Sequence, residues 1–375
     1  METDSLPGSK PLFYVSLKQL FRLPSAMPNQ APLRIMHVLL SRGFAGSERS
    51  TAESCNQQCE THEVCLVIRK GQRKNGAGIV DHLDERVHVI EISPRLFTKR
   101  QLGKAVSDFQ PDVIHCHLRR STRLIAKLAP EAATASTLHI EVNGPHFLDM
   151  DGLICNARWQ VEAIPPSYKG RVFKASNSLM PHPRLSDDRR LELRKELCPD
   201  DDAYLIGAVG RYHPSKGWDT LIEAFKPIKA KQARLLFFGS GRQEEALKTL
   251  AGEDDRIRFI GYRKDIKDIY QCLDLLVVPS RFEPLPRVML EGYDAGTPII
   301  ASDEGGCQEL IDDYGGWSFP VDDVTALRSE LEHALATRPP RHYPDLSAHY
   351  LENANAAIVE FYRELISDKA ESNNP

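Results

Sequence analysis

Short apolar runs alternate with amphipathic segments along the first half of the chain. The runs predict buried strands, which cover 33–40, 62–68, 87–92, 112–117, 132–142 and 152–156. Helices are predicted to begin near Glu48 and to cover 98–109 and 119–129. Strands separated by helices in this way indicate a parallel sheet with helices on both faces.

The second half repeats this alternation. Strands are predicted at 203–210, 233–239, 257–262, 274–280 and 297–302, and a helix at 216–229. Pro181 and Pro183 mark a linker. We therefore predict an α/β protein with two doubly wound domains at 32–178 and 179–350. A helix within 351–375 is expected to pack back on the first domain.

Residues 1–31 form a predicted N-terminal extension. Its first residues are acidic and charged residues interrupt its apolar ones, which does not fit a signal peptide. Met27 could be an alternative translation start. Leu17–Leu23 predicts a short amphipathic helix, packed either on the body of the protein or on a membrane surface. No apolar run reaches the ~20 residues of a membrane-spanning helix.

The eight cysteines are scattered and contain no C-x-x-C pair. Cys55 and Cys59 lie four apart on a predicted helix and leave a metal pair as one alternative. Because no second pair stands at ligand spacing, we predict buried reduced thiols and a cytoplasmic location.

Charge is divided unevenly along the chain. The total of −4 does not fit a dedicated nucleic-acid binder, which is usually strongly basic. Residues 1–176 hold 23 Lys and Arg against 17 Asp and Glu, a net charge of +6, whereas residues 177–375 hold 25 against 35, a net charge of −10. The two halves therefore suit different partners.

Four segments of the second half carry candidate chemistry, and each follows a predicted strand. They are the Gly210–Gly217 loop with Arg211 and Lys216, the glycines Gly239 and Gly241, the segment Glu283-Pro-Leu-Pro-Arg-Val-Met-Leu-Glu291, and Ser302–Gly306. Cations beside a helix N-terminus favour an anion, and carboxylates accept hydrogen bonds from sugar hydroxyls. The alternative interpretation is that these segments have no binding role and are solvated loops with ordinary surface carboxylates.

The ends of parallel strands meet at one edge of a sheet, where ligands bind in open α/β folds. In the first half, the same rule selects the loop from Gly43 to Glu48 after the first strand, and His139 at the end of another. These segments are therefore expected to lie at the ligand-binding edge of the first sheet.

The order of these motifs resembles the retaining glycosyltransferases of the GT-B architecture (glycosyltransferase family 4), over about residues 33–335. The E-x7-E segment and the preceding G-R-x5-K-G loop carry the resemblance. It implies two Rossmann-like domains facing a cleft, the first for the sugar acceptor and the second for a nucleotide-sugar donor. The implied activity is a metal-independent hexosyltransferase of lipopolysaccharide core or other surface polysaccharide synthesis.

The resemblance also implies roles for individual residues. The catalytic set would be His139, Arg211, Lys216 and Glu283, with the two cations on the donor diphosphate and Glu283 on the transferred sugar. The donor would further contact Gly43, Gly46, Gly210, Gly239, Leu285, Arg287 and Glu291, the last through its ribose. The donor is a UDP-, GDP- or ADP-sugar, and no other cofactor is expected.

One departure from the family stands in the E-x7-E segment. The family commonly has glycine and a bulky residue after the first glutamate, and its backbone N–H groups reach the sugar. Here Pro284 and Pro286 have no N–H, so that only Leu285 and Arg287 can donate nearby. The donor sugar therefore cannot be carried over from the resemblance.

Basic side chains follow three predicted strands of the first half, in groups that begin at Arg69, Arg95 and Arg119. We interpret Arg95, Lys99, Arg100, Arg119, Arg120 and Arg123 as a surface for an anionic glycolipid, a phosphorylated glycan or anionic lipid headgroups. A peripheral contact with the cytoplasmic face of the inner membrane is part of this hypothesis. The alternative is a set of solvated helix faces.

Other interpretations remain open. His115 and His117 share one face of a strand end, which suits a metal, but no further ligand is evident and a structural or acceptor-side role is favoured. The whole chain could also be a catalytically silent nucleotide-sugar-binding protein or a sugar-nucleotide epimerase of the same architecture.

Overall fold

Two parallel sheets form the framework of the protein. The computed structural model describes residues 31–74 and 76–372, so the predicted Leu17–Leu23 helix and all but residue 31 of the N-terminal extension lie outside the described residues. The first sheet has seven strands in the order β3-β2-β1-β4-β5-β6-β7, all parallel. Its strands are β1 (Arg34–Leu39), β2 (Glu63–Arg69), β3 (His88–Ile92), β4 (Val113–His117), β5 (Ala133–Leu138), β6 (Gly152–Cys155) and β7 (Arg171–Lys174).

The second sheet has six strands in the order β10-β9-β8-β11-β12-β13, again all parallel. They are β8 (Tyr204–Val209), β9 (Ala233–Phe238), β10 (Ile257–Gly261), β11 (Leu275–Val278), β12 (Ile299–Ser302) and β13 (Trp317–Phe319). The strand order reverses direction between β1 and β4 in the first sheet and between β8 and β11 in the second. A crevice opens at such a switch point, at the carboxyl ends of the strands.

Helices cover both faces of each sheet. Those of the first half are α1 (Gly46–Gln58), α2 (Thr98–Phe109), α3 (Leu118–Leu128) and α4 (Arg158–Glu162). They are followed by α5 (Asp187–Leu197), α6 (Trp218–Phe225), α7 (Glu244–Ala251), α8 (Ile266–Tyr270), α9 (Arg287–Asp294), α10 (Gly305–Tyr314), α11 (Val324–Thr337) and α12 (Leu351–Ser372). Buried apolar side chains form separate clusters on the two faces of each sheet.

The predicted fold class is confirmed: two α/β domains with doubly wound parallel sheets. The short outer strands β7 and β13 are absent from the prediction. Their three or four residues include polar side chains, and they lack the apolar run that marks a buried strand. The eight cysteines are buried and free, which confirms the prediction of reduced thiols. Among the described residues, no helix is long and apolar enough to cross a membrane.

The last helix, α12, returns to the first sheet. Phe361 stacks on Phe173 of β7 with ring centroids 5.1 Å apart, and the Tyr362 hydroxyl lies 2.6 Å from Nδ1 of His115. Gly152 of β6 makes room for this helix, because a Cβ there would lie 2.8 Å from the Phe361 ring. The end of the chain therefore covers one face of the first sheet.

We expect Phe361→Ala to lower the free energy of unfolding by about 3–5 kcal/mol, because the ring is buried in this packing and its removal leaves a cavity. Urea denaturation measures the change. Glu364→Ala is the control: its carboxylate is exposed and pairs with Arg171 at 3.1 Å, so a change within about 0.5 kcal/mol is expected. Equal effects of the two substitutions would contradict the packing described for α12.

Candidate functional site

The loops after β8 and β9 pack backbone against backbone. Gly239 has a φ of 141°, and a Cβ on it would lie 2.0 Å from the carbonyl oxygen of Gly210. The Tyr212 N–H donates to the Ser240 carbonyl at 2.9 Å, which ties the two loops together. Only glycine fits such an approach. The glycines predicted to contact a donor therefore also shape the loop that carries Arg211 and Lys216.

Lys216 and Glu283, 67 residues apart in the chain, meet at this edge of the second sheet. The Lys216 ammonium donates to Oε2 of Glu283, and the two side chains are 14% and 20% exposed. Arg211 is exposed, and its carbonyl accepts from the Trp218 indole at 2.9 Å. The structure thus brings together a cation and a carboxylate that the sequence analysis assigned to the diphosphate and the sugar.

Glu291 lies on α9, with 9% of its side chain exposed. Its Oε2 accepts from the Tyr270 hydroxyl at 3.2 Å, and its Oε1 lies 3.8 Å from an Arg49 guanidinium nitrogen of the first domain. One carboxylate oxygen is thus held by each domain. A hydroxyl-bearing ligand that reached Glu291 would share it with both groups.

Arg287 was predicted to contact the donor, but its guanidinium is committed elsewhere. It donates to both carboxylate oxygens of Glu53 on α1, at 2.7 and 3.2 Å, and the two side chains are 16% and 13% exposed. Any contact of Arg287 with a donor in this arrangement falls to its backbone. The backbone N–H groups of Leu285 and Arg287 have no hydrogen-bond acceptor among the described residues.

The proline-containing segment is attached to the first domain through its carbonyl groups. The Trp159 indole donates to the Pro284 carbonyl at 3.0 Å, and the Asn177 amide donates to the Leu285 carbonyl at 2.7 Å. Proline removes an N–H but keeps its carbonyl. The departure from the family therefore stands where the two domains are joined.

The loop after β1 leads into α1, whose Arg49 and Glu53 contact the second domain. Gly43 has a φ of 86°, and its N–H donates to the Gln72 carbonyl at 2.6 Å. Glu48 is buried and accepts from the Ala45 N–H at 3.1 Å and the Ser47 hydroxyl at 3.0 Å. This carboxylate therefore organises the start of α1, where Gly46 is the first residue.

His139 lies just after β5, beside a cavity of about 280 Å³ that it lines together with Ser41, Arg119 and Arg120. Its Nε2 is buried and has no hydrogen-bond partner among the described residues. Burial lowers the pKa of His139 to about 4, against the opposing charge of Glu48. The imidazole that lines this cavity is therefore neutral near pH 7.

Three further histidines lie buried beneath the same edge. Ring nitrogens of His37, His115 and His117 lie within 4.8 Å of one another, close enough to suit a metal ion. However, His37 bonds to Gln58 at 2.8 Å and to His117 at 2.9 Å, while His115 bonds to Tyr362 and Thr137, each at 2.6 Å. A metal would have to replace these bonds, so we interpret the cluster as structural.

The hydrogen bonds of this cluster assign its tautomers. Gln58 Oε1 can only accept, so His37 donates from Nε2 and accepts at Nδ1 from the Nε2–H of His117. That leaves the Nδ1 of His117 as a buried acceptor with no partner in the part of the chain that the structure describes. The predicted absence of a catalytic metal stays a prediction.

The basic residues predicted to form one surface have different roles. Arg95, Lys99, Arg100, Arg119 and Arg123 are exposed. Lys99 donates to the Lys127 carbonyl at 2.6 Å, and Arg120 donates to the Pro94 carbonyl, so these two side chains also tie segments together.

Several residues at the site were not predicted from the sequence. Arg49 and Glu53 lie four apart on α1, which indicates a helical ion pair and gives no sign of their partners in the other domain. Trp159 and Asn177 carried no motif. Tyr262, 76% exposed, follows β10 at the same edge as Gly239; an aromatic at the end of a predicted strand was the available signal.

Comparison with known proteins finds relatives among glycosyltransferases. Residues 203–337 match the family model described as glycosyl transferases group 1. The chain is 25% identical over 265 residues to the lipopolysaccharide core biosynthesis glycosyltransferase LpsE of Rhizobium meliloti, covering 69% of this chain and 74% of that protein. It is also 25% identical to LpsD of the same organism, covering 72% of this chain and 78% of that protein.

Solved structures share the whole fold. A glycosyltransferase from Rickettsia africae superposes with a TM-score of 0.71 at 18% identity, covering 92% of this chain and all of that one. HepE of Anabaena, in complex with UDP and glucose, gives a TM-score of 0.67 at 18% identity, covering 91% and 99%. The predicted GT-B architecture is therefore confirmed, and the match to the glycosyl transferases group 1 model lies within the second domain.

We expect the protein to lose stability as the pH falls from about 6.5 towards 4. Burial lowers the pKa of His37 to about 4 in the folded protein, so unfolding binds a proton throughout this range. Because folding lowers this pKa, neutral His37 contributes its full stabilisation above about pH 6.5. Its protonation alone lowers the free energy of unfolding by about 3 kcal/mol by pH 4. Thermal unfolding at a series of pH values measures it.

The variant His37→Asn should show a shallower pH dependence, whatever its stability at pH 7. His213→Asn is the matched control, because that side chain is exposed, and it should keep the wild-type slope. Identical slopes in all three proteins would show that His37 is not the group responsible.

Proposed function

We propose that this protein is a retaining, metal-independent hexosyltransferase that moves a sugar from a nucleoside diphosphate sugar to a phosphorylated glycan or glycolipid. The pathway that we propose is the synthesis of lipopolysaccharide core or another cell-surface polysaccharide. The contact of Lys216 with Glu283, beside Glu291 at the carboxyl edge of the second sheet, is the observation that carries the proposal. The pathway is supported by the relatives LpsE and LpsD, which are both described as lipopolysaccharide core biosynthesis glycosyltransferases.

The second domain supplies charge for the leaving group. Arg211 and Lys216 stand in the loop that precedes α6 and would face the diphosphate. Their positive charge, with the N–H groups of the Gly210–Gly217 loop, would stabilise the charge that develops on the departing phosphate oxygen. This arrangement supplies without a metal ion the neutralisation that phosphate departure requires.

In the proposed reaction, the bond from the anomeric carbon to the phosphate oxygen breaks, and the acceptor hydroxyl oxygen bonds to the same carbon from the same face. The hydroxyl proton passes to the departing phosphate oxygen, so charge and atoms balance. Glu283 would release Lys216 to the diphosphate and accept from sugar hydroxyls. His139 would contact the transferred sugar as part of the cavity wall.

The base and the sugar are left to experiment. Because HepE is solved with UDP and with UDP-glucose, UDP-sugars are the first donors to test, followed by GDP- and ADP-sugars. Tyr262 stands exposed after β10 and would offer an aromatic face to the base.

We expect Lys216→Ala to lower kcat for sugar transfer at least about 100-fold, because the developing diphosphate charge loses its nearest ammonium. Glu291→Gln should raise the donor KM about tenfold through weaker ribose contacts. Lys248→Ala is the control, since that lysine is 44% exposed and pairs only with Glu244 and Glu245. Release of nucleoside diphosphate, followed with a panel of donors, measures each variant.

The same panel separates the alternatives. A silent binding protein would show donor binding in thermal-shift assays without release of nucleoside diphosphate. An epimerase would change the sugar of the donor without any acceptor. Either result, with the wild-type protein, would overturn the proposal. Inversion at the anomeric carbon of the product would overturn only its retaining mechanism.

The sugar acceptor is proposed to be anionic because Arg119 and Arg120 line the cavity beside His139, and Arg123 is exposed on the same helix, α3. We expect Arg119→Glu with Arg123→Glu to raise the acceptor KM about tenfold while the donor KM stays unchanged. Arg120 is left intact, since it holds the Pro94 carbonyl. The control is Arg189→Glu on α5, an exposed arginine of the second domain. Unchanged acceptor kinetics would contradict an anionic acceptor at this cavity.

A further inference from the structure

An exposed apolar tip stands at the carboxyl edge of the first sheet. Leu96 and Phe97, in the loop between β3 and α2, are 70% and 72% exposed. Among the large hydrophobic side chains that the structure describes, only Tyr262 is more exposed. Two adjacent side chains of this kind form a surface that gains free energy when a partner covers it.

The loop presents this tip in a defined conformation. Phe97 has a φ of 56°, in the left-handed region that an aromatic residue rarely adopts. Gln101 donates to the Leu96 carbonyl at 3.1 Å and accepts from the Ser93 N–H at 3.0 Å, and Arg120 holds the Pro94 carbonyl. The backbone is therefore bonded inward while both apolar side chains face solvent.

Positive charge surrounds the tip. Arg42, Arg69, Arg95 and Arg120 come from four different segments at the carboxyl edge of the sheet. Burial lowers the pKa of Arg69, and the charges of Arg42, Arg120 and Arg95 lower it further. None of the four joins an ion pair with a carboxylate within the described residues, and the Nε of Arg69 is buried without a hydrogen-bond acceptor. The charge is therefore uncompensated.

The position of the tip leaves it accessible. Its strand β3 is an outer strand of the sheet. The hydrogen bonds described above between the domains come from α1, α4 and the segment after β7, and the β3–α2 loop takes part in none of them. A large partner can therefore cover the tip without disturbing the contact between the domains.

We propose that Leu96 and Phe97, with Arg42, Arg69, Arg95 and Arg120 around them, dock this protein on an anionic lipid bilayer. The guanidinium groups bind headgroup phosphates while the two apolar side chains enter the boundary of the acyl chains. A phosphorylated glycan in solution would satisfy the arginines and leave the apolar tip uncovered. The inference rests on the proposed function only in its expectation of a lipid-linked acceptor.

Sedimentation of the full chain with lipid vesicles tests the docking surface. We expect binding to phosphatidylcholine vesicles that contain about 30% phosphatidylglycerol, weak binding to phosphatidylcholine alone, and release by about 0.5 M NaCl. Leu96→Ser with Phe97→Ser should weaken binding at least about tenfold, because the inserted apolar area is lost. Arg42→Glu with Arg95→Glu should weaken it as strongly.

Leu191→Ser is the matched control, because Leu191 on α5 is 52% exposed in the second domain, beside charges of both signs. It should bind vesicles as the wild type does. Melting temperatures within a few degrees of the wild type would show that the variants are folded. Donor turnover is not needed for this assay, so failure of the proposed function leaves the test intact.

Three outcomes would overturn the proposal. Equal binding of the wild type and the Leu96→Ser, Phe97→Ser variant would remove the apolar tip from any docking role. Equal binding to neutral and anionic vesicles would show that the arginines have no role in docking. A soluble phosphorylated oligosaccharide serves as a competitor of the vesicles: if it displaced the wild type, and if the Leu96→Ser, Phe97→Ser variant bound vesicles as the wild type does, the arginines would be assigned to a soluble glycan.

Discussion

The attachment of the Glu283–Glu291 segment to the first domain is the interaction on which the arrangement of the site depends. The segment carries both carboxylates, and the first domain holds its carbonyl groups through Trp159 and Asn177. The positions of the carboxylates therefore follow from the contact between the domains. A displacement of one domain would move Glu283 and Glu291 together relative to the loop after β1.

Paired charges give that contact its specificity. Arg49, Glu53, Arg287 and Glu291 alternate in sign across the boundary, and three of the four side chains are mostly buried. Buried ion pairs add little net stability, because desolvation opposes their attraction, whereas loss of one partner leaves an uncompensated charge. The network therefore defines which arrangement of the domains is allowed more than it strengthens that arrangement.

The buried histidines connect the end of the chain to the cavity of the first domain. Tyr362 on α12 bonds to His115, and Asn355 accepts from Gln58, which in turn holds His37. Because burial keeps His37 neutral near pH 7, this region is polar without carrying charge. Electrostatic recognition at the rim is thereby left to the exposed arginines.

Apolar periodicity by itself determined the two parallel sheets, because a strand buried on both faces needs a continuous apolar run. Strand ends then predicted the edge at which Lys216, Glu283 and Glu291 lie. Only the tertiary structure decided their partners. Glu53 and Arg287 are 234 residues apart, and spacing along a chain carries no information about contacts at that separation. The proline segment is a second example. The sequence predicted that Pro284 and Pro286 lack N–H groups, but only the tertiary structure shows that Trp159 and Asn177 donate to the carbonyls of this segment.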